Sequence, residues 1–174
     1  LMDALAAVGI QFVLTKHENS AGFMAEGTYF ADGAPGILVA TIGPGVGNAI
    51  NVVANAEQDR VPLIFLTGCV DAADTMTHTH QIFDHRAVLE PITRATFTLH
   101  DGAADVVIDK ALAMALDGQP GPVHIDVPIP VAEAIQSGPA MPRRVPPTPS
   151  APTGPDVETA RGWLAAAERP LIIA

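Results

Sequence analysis

Glu18 and the turn Gly43-Pro44-Gly45 are the residues of this chain best suited to chemistry. Each stands at the end of an apolar run, Ile10 to Thr15 in one case and Ile37 to Ile42 in the other. In an open α/β sheet ligands bind outside the carboxyl ends of the strands, so a carboxylate and a glycine turn placed there could face a ligand. A carboxylate can accept hydrogen bonds and, in a water-poor pocket, share a proton. Glycines permit close backbone approach and positive φ. A plainer account fits the same residues: the glycines only turn the chain into a helix opening near Asn48, and Glu18 is a solvated strand end or an ion-pair partner of Lys16 or Arg60.

The second polar concentration is the segment Asp71 to Arg86, which holds His78, His80, Gln81, Asp84 and His85. A histidine titrates in the range useful for proton transfer, so His80 could act as a donor near a reacting centre, or be a solvated loop residue. The spacing His78-x-His80, with Asp84 and His85 following, is also one that zinc or another divalent ion could use. No flanking pattern supports such a site, and no metal ligand is assigned in this chain. His17 alternates away from Glu18 along a strand and has packing as its default role. His124 sits inside an apolar strand, as core or edge. Cys69 follows Gly68 at a strand end without a helix start or nearby cation to make it a thiolate.

The elements that must position these residues follow from the pattern of apolar runs. Residues 10–15, 37–42, 63–67, 96–99 and 122–127 read as strands bounded by Gly, Pro or charged residues. Helices are expected at 1–8, about 19–31, 47–59 and 103–117, the last with Val106, Val107, Ala111, Leu112 and Leu116 on helical spacing and Gly118 as its stop. Helix capping is the expected job of Asn48. Strands alternating with helices predict an α/β domain over residues 1–136, with a mostly parallel sheet and helices on both faces. Residues 137–155 shift to Pro, Ser, Thr and Gly and read as a linker. A new helix is expected from Asp156 to Glu168, with Val157, Ala160, Trp163 and Leu164 as its apolar face, followed by a strand through Leu171 to Ala174.

The chain has 174 residues, 48% of them hydrophobic and 5% aromatic, which suits one core built from Ala, Val and Ile. A formal net charge of −10 disfavours nucleic acid and anionic membrane, and no basic cluster offsets it. No stretch approaches the roughly 18 apolar residues of a membrane span. One cysteine permits neither an intrachain disulfide nor a cysteine-based zinc cage, and a reducing cytoplasm is the expected setting. The chain opens at Leu1 inside an apparent helix and closes in an apolar run, so it is expected to be a fragment of a longer protein.

Four blocks carry a resemblance to a known family: Lys16 to Gly27 (KHENSAGFMAEG), Ala40 to Asn48 (ATIGPGVGN), Asp59 to Gly68 (DRVPLIFLTG) and Gly121 to Pro128 (GPVHIDVP). In order and spacing they resemble the N-terminal pyrimidine-binding domain of thiamine diphosphate enzymes of the acetolactate synthase and 2-oxoacid decarboxylase group. The resemblance implies a Rossmann- or flavodoxin-like three-layer sandwich, with residues 156–174 opening a central domain and the family's first strand lying upstream of Leu1.

It also implies roles. Glu18 matches the glutamate that hydrogen-bonds or shares a proton with N1′ of the aminopyrimidine, favouring the tautomer that deprotonates the thiazolium C2. Such a carboxyl is expected to have its pKa raised by desolvation. Gly43, Pro44, Gly45 and Asn48 match cofactor-binding positions, although Ile42 stands where a serine is common, which removes a side-chain hydroxyl there. Gln81 matches an active-site glutamine beside substrate, and His80 replaces the aromatic that usually precedes it.

The chain has no Gly-Asp-Gly motif followed by Asn-Asn, the family's means of holding Mg2+ and the diphosphate, and no Walker or Gly-x-Gly-x-x-Gly turn. The resemblance therefore implies that Mg2+ is bound by a C-terminal domain outside this chain and that a second subunit completes the active site, as a homo-oligomer. The chain by itself is expected to be inactive. Flavin (FAD), seen in some relatives, is not inferable here, because its site would lie mainly in the central domain. The implied activity is decarboxylation of a 2-oxoacid with transfer of the acyl unit. The alternatives are a simple 2-oxoacid decarboxylase, a relative using an acyl-CoA or sulfonated substrate, and a non-catalytic assembly or regulatory module.

Overall fold

A computed structural model describes residues 1–135 and 150–171. The linker expected at 137–155 falls outside the described residues over 137–149, as do the last three residues of the strand expected at the C-terminus. By internal contacts the chain divides into two compact units, Leu1–Arg144 and Val145–Ala174.

In the first unit the order is α1 (Met2–Ala7), α2 (Glu18–Asp32), β1 (Gly36–Ala40), α3 (Pro44–Gln58), β2 (Leu63–Cys69), α4 (His85–Leu89), a 3-10 turn (Glu90–Ile92), β3 (Ala95–Thr98), α5 (Ala104–Leu116), β4 (Pro122–Pro128) and α6 (Ile129–Glu133). The second unit contributes α7 (Pro155–Ala166), opening with Pro155 and the acidic Asp156 and Glu158 in its first turn. None of the described helices is long and apolar enough to cross a membrane.

The four described strands form one parallel sheet in the order β1-β2-β4-β3. Side chains alternate across it. Leu38, Leu63 and Phe65 face a core completed by Val46, Ala49, Val52, Val53 and Ala56 of α3, while Ile64, Val123 and Ile125 face Ala111 and Ala115 of α5. This is the α/β three-layer arrangement expected from strands alternating with helices. Cover is thinner at β1, where Ile37 is 56% exposed.

Local chemistry sets the boundaries next to the candidate site. Helix α2 starts because His17, extended at φ −151° and ψ 136°, caps it: Nδ1 accepts from the Asn19 N–H at 3.2 Å. His17 is exposed and caps this helix instead of packing in the core. The helix ends at Gly33 in the left-handed region (φ 75°), whose N–H reaches the Tyr29 carbonyl at 2.8 Å. Gly22 lets α2 lie close on α3, since a Cβ there would collide with Val52.

The expected strand at 10–15 does not form. After Gly9 (φ 78°) the Ile10 N–H closes back on the Leu5 carbonyl at 2.9 Å, and the chain then runs to Thr15 outside any regular element. Leu14 is 85% exposed and Val13 61%. The apolar run specified burial, but a strand also needs a ladder partner, and β1 pairs only with β2 among the described residues.

Candidate functional site

Helix α3 begins under unusual constraint. Its N-cap is Gly43, at φ 62° and ψ −105°, a combination open only to glycine, and Pro44 follows at the first helical position. A Cβ on Gly43 would also collide with the backbone carbonyl of Gln81, itself at φ 60°. The turn and the 71–84 loop are therefore pressed together at the backbone. Two residues on, Gly45 is buried, and a Cβ there would lie 2.9 Å from Thr41 Oγ1 and 3.3 Å from Glu18 Oε1.

Glu18 is the first residue of α2 and is half-buried. Its Oε2 accepts a 3.0 Å hydrogen bond from Asn48 Nδ2. Asn48 thus holds the carboxylate and does not cap α3, a role its place within the helix rules out because Gly43 is the cap. Arg60 pairs with Glu57 at 3.2 Å, so the ion-pair account of Glu18 with that residue does not describe the structure. Glu18, Gly45 and Asn48 form one cluster, and Gly43 ties it to Gln81. The Gln81 side chain and its neighbour His80 are solvent-exposed.

The histidines of the loop do not converge. His78 and His80 are exposed, and the Asp84 carboxylate caps α4 by accepting from the Ala87 N–H at 2.9 Å. His85 turns inward and is 4% exposed. Its Nε2 accepts from the Gly43 N–H at 3.2 Å, and its Nδ1 lies 2.7 Å from Asp126 Oδ1. The same Asp126 oxygen accepts from Thr67 Oγ1 at 2.7 Å, and Thr67 Oγ1 lies 2.8 Å from His124 Nε2. His124 is fully buried.

This polar network was not anticipated, yet a signal for it existed. Thr67 is in register with Asp126 and Phe65 with His124, so His124 and Asp126, two residues apart in β4, share the face that meets α3. Alternate polar residues also fit a solvated strand face; it is the place of β4 between β2 and β3 that buries His124 and requires these groups to be hydrogen-bonded. His85, by contrast, has no such signal, because only the fold brings α4 beneath the Gly43 turn.

Burial opposes ionisation of Asp126, but hydrogen bonds from His124, His85 and Thr67 outweigh it and hold the carboxyl well below the usual range. Cys69, at the end of β2, is pushed up to about 12, by burial first and then by the charges of Asp126 and Asp71. Ligating atoms of His85, His124 and Asp126 lie within 4.8 Å of one another, near enough for a divalent ion. They are instead engaged with each other, with Thr67 and with Gly43, and a metal would have to break those bonds.

Two cavities open at the carboxyl ends of the strands. One, of about 320 Å3, lies by the 71–84 loop and is lined by Cys69, Asp71, Phe83, His85 and Asp126 among others. The other, of about 410 Å3, is largely apolar, with Val39, Ile42, Leu66, Val127 and Ile129 in its wall. Glu18 lines neither; its cluster is an open surface beside the glycine turn. The absence of a Cβ at Gly45 is what lets Thr41 Oγ1 and Glu18 Oε1 lie so close to the α3 backbone, and a half-buried carboxylate beside bare glycine backbone suits the edge of a flat heteroaromatic ring bearing a protonatable nitrogen.

Comparison with known proteins bears on what such a surface is for. Residues 1–88 match the thiamine pyrophosphate enzyme family, in its N-terminal TPP binding domain. The chain is similar to the acetolactate synthase isozyme 1 large subunit of Escherichia coli (strain K12), at 34% identity over 177 residues, 98% of this chain and 31% of that protein. It is similar to an acetolactate synthase large subunit of Mycobacterium tuberculosis, at 31% identity over all of this chain and 32% of that protein. A probable 2-ketoarginine decarboxylase of Pseudomonas aeruginosa is 34% identical over all of this chain and 32% of its own length. The chain therefore spans a little under a third of these curated relatives.

Proposed function

Because this chain belongs to the thiamine pyrophosphate enzymes through their N-terminal TPP-binding domain, we propose that it carries the pyrimidine-binding half-site of an acetolactate synthase-like enzyme. That enzyme decarboxylates a 2-oxoacid and transfers the acyl unit. The observation that carries the reading is the Glu18 carboxylate, held by Asn48 and lying against the glycine backbone at Gly45. When bound, thiamine diphosphate supplies the electron sink for decarboxylation.

The residues of this chain bind, orient and exchange a proton. Glu18 Oε1 is the acceptor for the aminopyrimidine nitrogen, with Oε2 oriented by the hydrogen bond from Asn48. Gly43, Pro44 and Gly45 bring backbone close to the ring. Gln81, held at the Gly43 turn through its own backbone, lies on the substrate side, and His80 is the candidate proton donor beside it. Proton sharing by Glu18 needs a drier setting than a half-buried surface, so the proposal includes a second subunit that covers it. It also includes Mg2+ and diphosphate held by a C-terminal domain, a central domain opening at residue 156, and a cytoplasmic location. Flavin is left open, its site belonging to the central domain.

The test is Glu18→Gln in the intact protein, with thiamine diphosphate and Mg2+ titrated while carbon dioxide release from pyruvate is followed. We expect turnover to fall at least about a hundredfold with the fold retained. Unchanged turnover would remove Glu18 from the role, and no cofactor binding by the wild type would favour a non-catalytic assembly module. A second reading, simple decarboxylation, is favoured by the likeness to the 2-ketoarginine decarboxylase. Product analysis separates the two: a two-substrate condensation product supports transfer, and an aldehyde alone supports decarboxylation.

A further inference from the structure

The proposed reaction uses Glu18 and the glycine turn, but nothing in it accounts for a buried histidine whose ring spans from that turn to the sheet. The proton directions along this span are fixed from one end. A backbone N–H can only donate, so the 3.2 Å contact with the Gly43 N–H makes His85 Nε2 an acceptor. A neutral imidazole accepting at Nε2 carries its proton on Nδ1, which donates to Asp126 Oδ1 at 2.7 Å. Thr67 Oγ1 donates to the same oxygen, so toward His124 it accepts, from an Nε2 proton. Every member of the chain His124, Thr67, Asp126, His85, Gly43 then has a single consistent orientation. Ring packing reinforces it: Phe83 meets His85 edge-on at 5.0 Å between centroids, and His124 lies 6.4 Å away, also edge-on.

We propose that His85 is a positioning residue: anchored by Asp126 and protonated on Nδ1, it holds the Gly43 N–H and thereby fixes the turn whose next glycine, Gly45, seats Glu18. This rests on the functional reading above. Gly43 sits at φ 62° and ψ −105°, and its N–H is a donor that α3 itself does not satisfy. Without His85, that buried donor has no partner and the turn loses its link to β4. Because Gly43 caps α3, a shift there passes to Gly45 and so to the Glu18 carboxylate 3.3 Å from the Cβ position. The clamp also binds the start of α4 to the turn, which keeps the Gln81 backbone against Gly43.

Two variants of the intact protein separate the two ends of the clamp. In His85→Asn the side-chain amide reaches only to the place of Nδ1, so it can bond Asp126 but not Gly43. In His85→Gln it reaches to the place of Nε2, so its carbonyl can still accept from Gly43. Hydrogen-exchange mass spectrometry of residues 41–47, without cofactor, reads the clamp directly. We expect His85→Asn to speed exchange there about tenfold and His85→Gln to stay within about threefold of wild type. Thiamine diphosphate titration is expected to follow: binding about ten- to a hundredfold weaker in His85→Asn and largely retained in His85→Gln.

Equal exchange in both variants and the wild type would overturn the clamp. Altered exchange with equal cofactor affinity in both variants would overturn its positioning role. A wild type that binds no thiamine diphosphate would instead sink the functional reading, while the exchange data would still decide whether His85 holds the turn.

Discussion

Replacing Gly43 with alanine should damage the site more than any other single-methyl addition to α3 or its cap. The backbone pair φ 62° and ψ −105° lies outside the left-handed well that L-residues visit, so alanine must either bear the strain or move the turn. Such strain costs about 1–3 kcal/mol. The new Cβ also collides with the Gln81 carbonyl, and overpacking of this kind costs a further 1–3 kcal/mol or so. Gln81 lies in an exposed loop that can retreat, so the lower half of the combined range applies, about 2–4 kcal/mol. At about 3 °C per kcal/mol for a chain of this size, melting should fall by about 6–12 °C.

Gly47→Ala is the control, since nothing lies within 4 Å of a Cβ there and the residue is within α3. Helix propensity should then raise stability by up to about 1 kcal/mol. Thermal melting and urea denaturation of wild type and both variants provide the assay. A loss below about 1 kcal/mol for Gly43→Ala would refute the reasoning, because neither the dihedral penalty nor the collision could then be present.

Further predictions concern the groups around β2 and β4. Asp126 has its pKa lowered on folding, so its contribution to stability is complete above the unfolded value of about 4 and is lost as pH falls below it. Asp126→Asn should therefore cost about 2 kcal/mol near pH 7, with the difference from wild type shrinking towards pH 3 in denaturation curves; a gap independent of pH would contradict the assigned hydrogen bonds. Cys69, raised to about 12 from an ordinary 9.0, should alkylate about a thousandfold more slowly than a free thiol at neutral pH, and fast reaction with iodoacetamide would show that its burial is wrongly described.

The linear order of residues determined the class of fold and most of its parts. Apolar runs at 37–42, 63–67 and 122–127 became β1, β2 and β4 because each has a neighbour to pair with and a helix to cover it. Helical spacing located α2, α3, α5 and α7 to within a few residues. The glycine turn was also legible, since the dihedral freedom of glycine is a local property, whereas the strand end that singled out Glu18 does not form and the residue stands instead at the start of α2.

Tertiary structure alone decided the rest. The run at 10–15 has strand composition, but a ladder requires a partner, and pairing is not a property of the run itself. Asn48 looked like a cap from its place in the chain, yet the start of the helix at Pro44 and the approach of α2 turned it into the holder of Glu18, 30 residues away. His85 read as one more loop histidine. Only the packing of α4 under the turn gives it Gly43, at a separation of 42 residues, and Asp126, at 41. Local preference is written in neighbouring residues, whereas hydrogen-bond partners across a sheet and a loop exist only once the chain has closed around them.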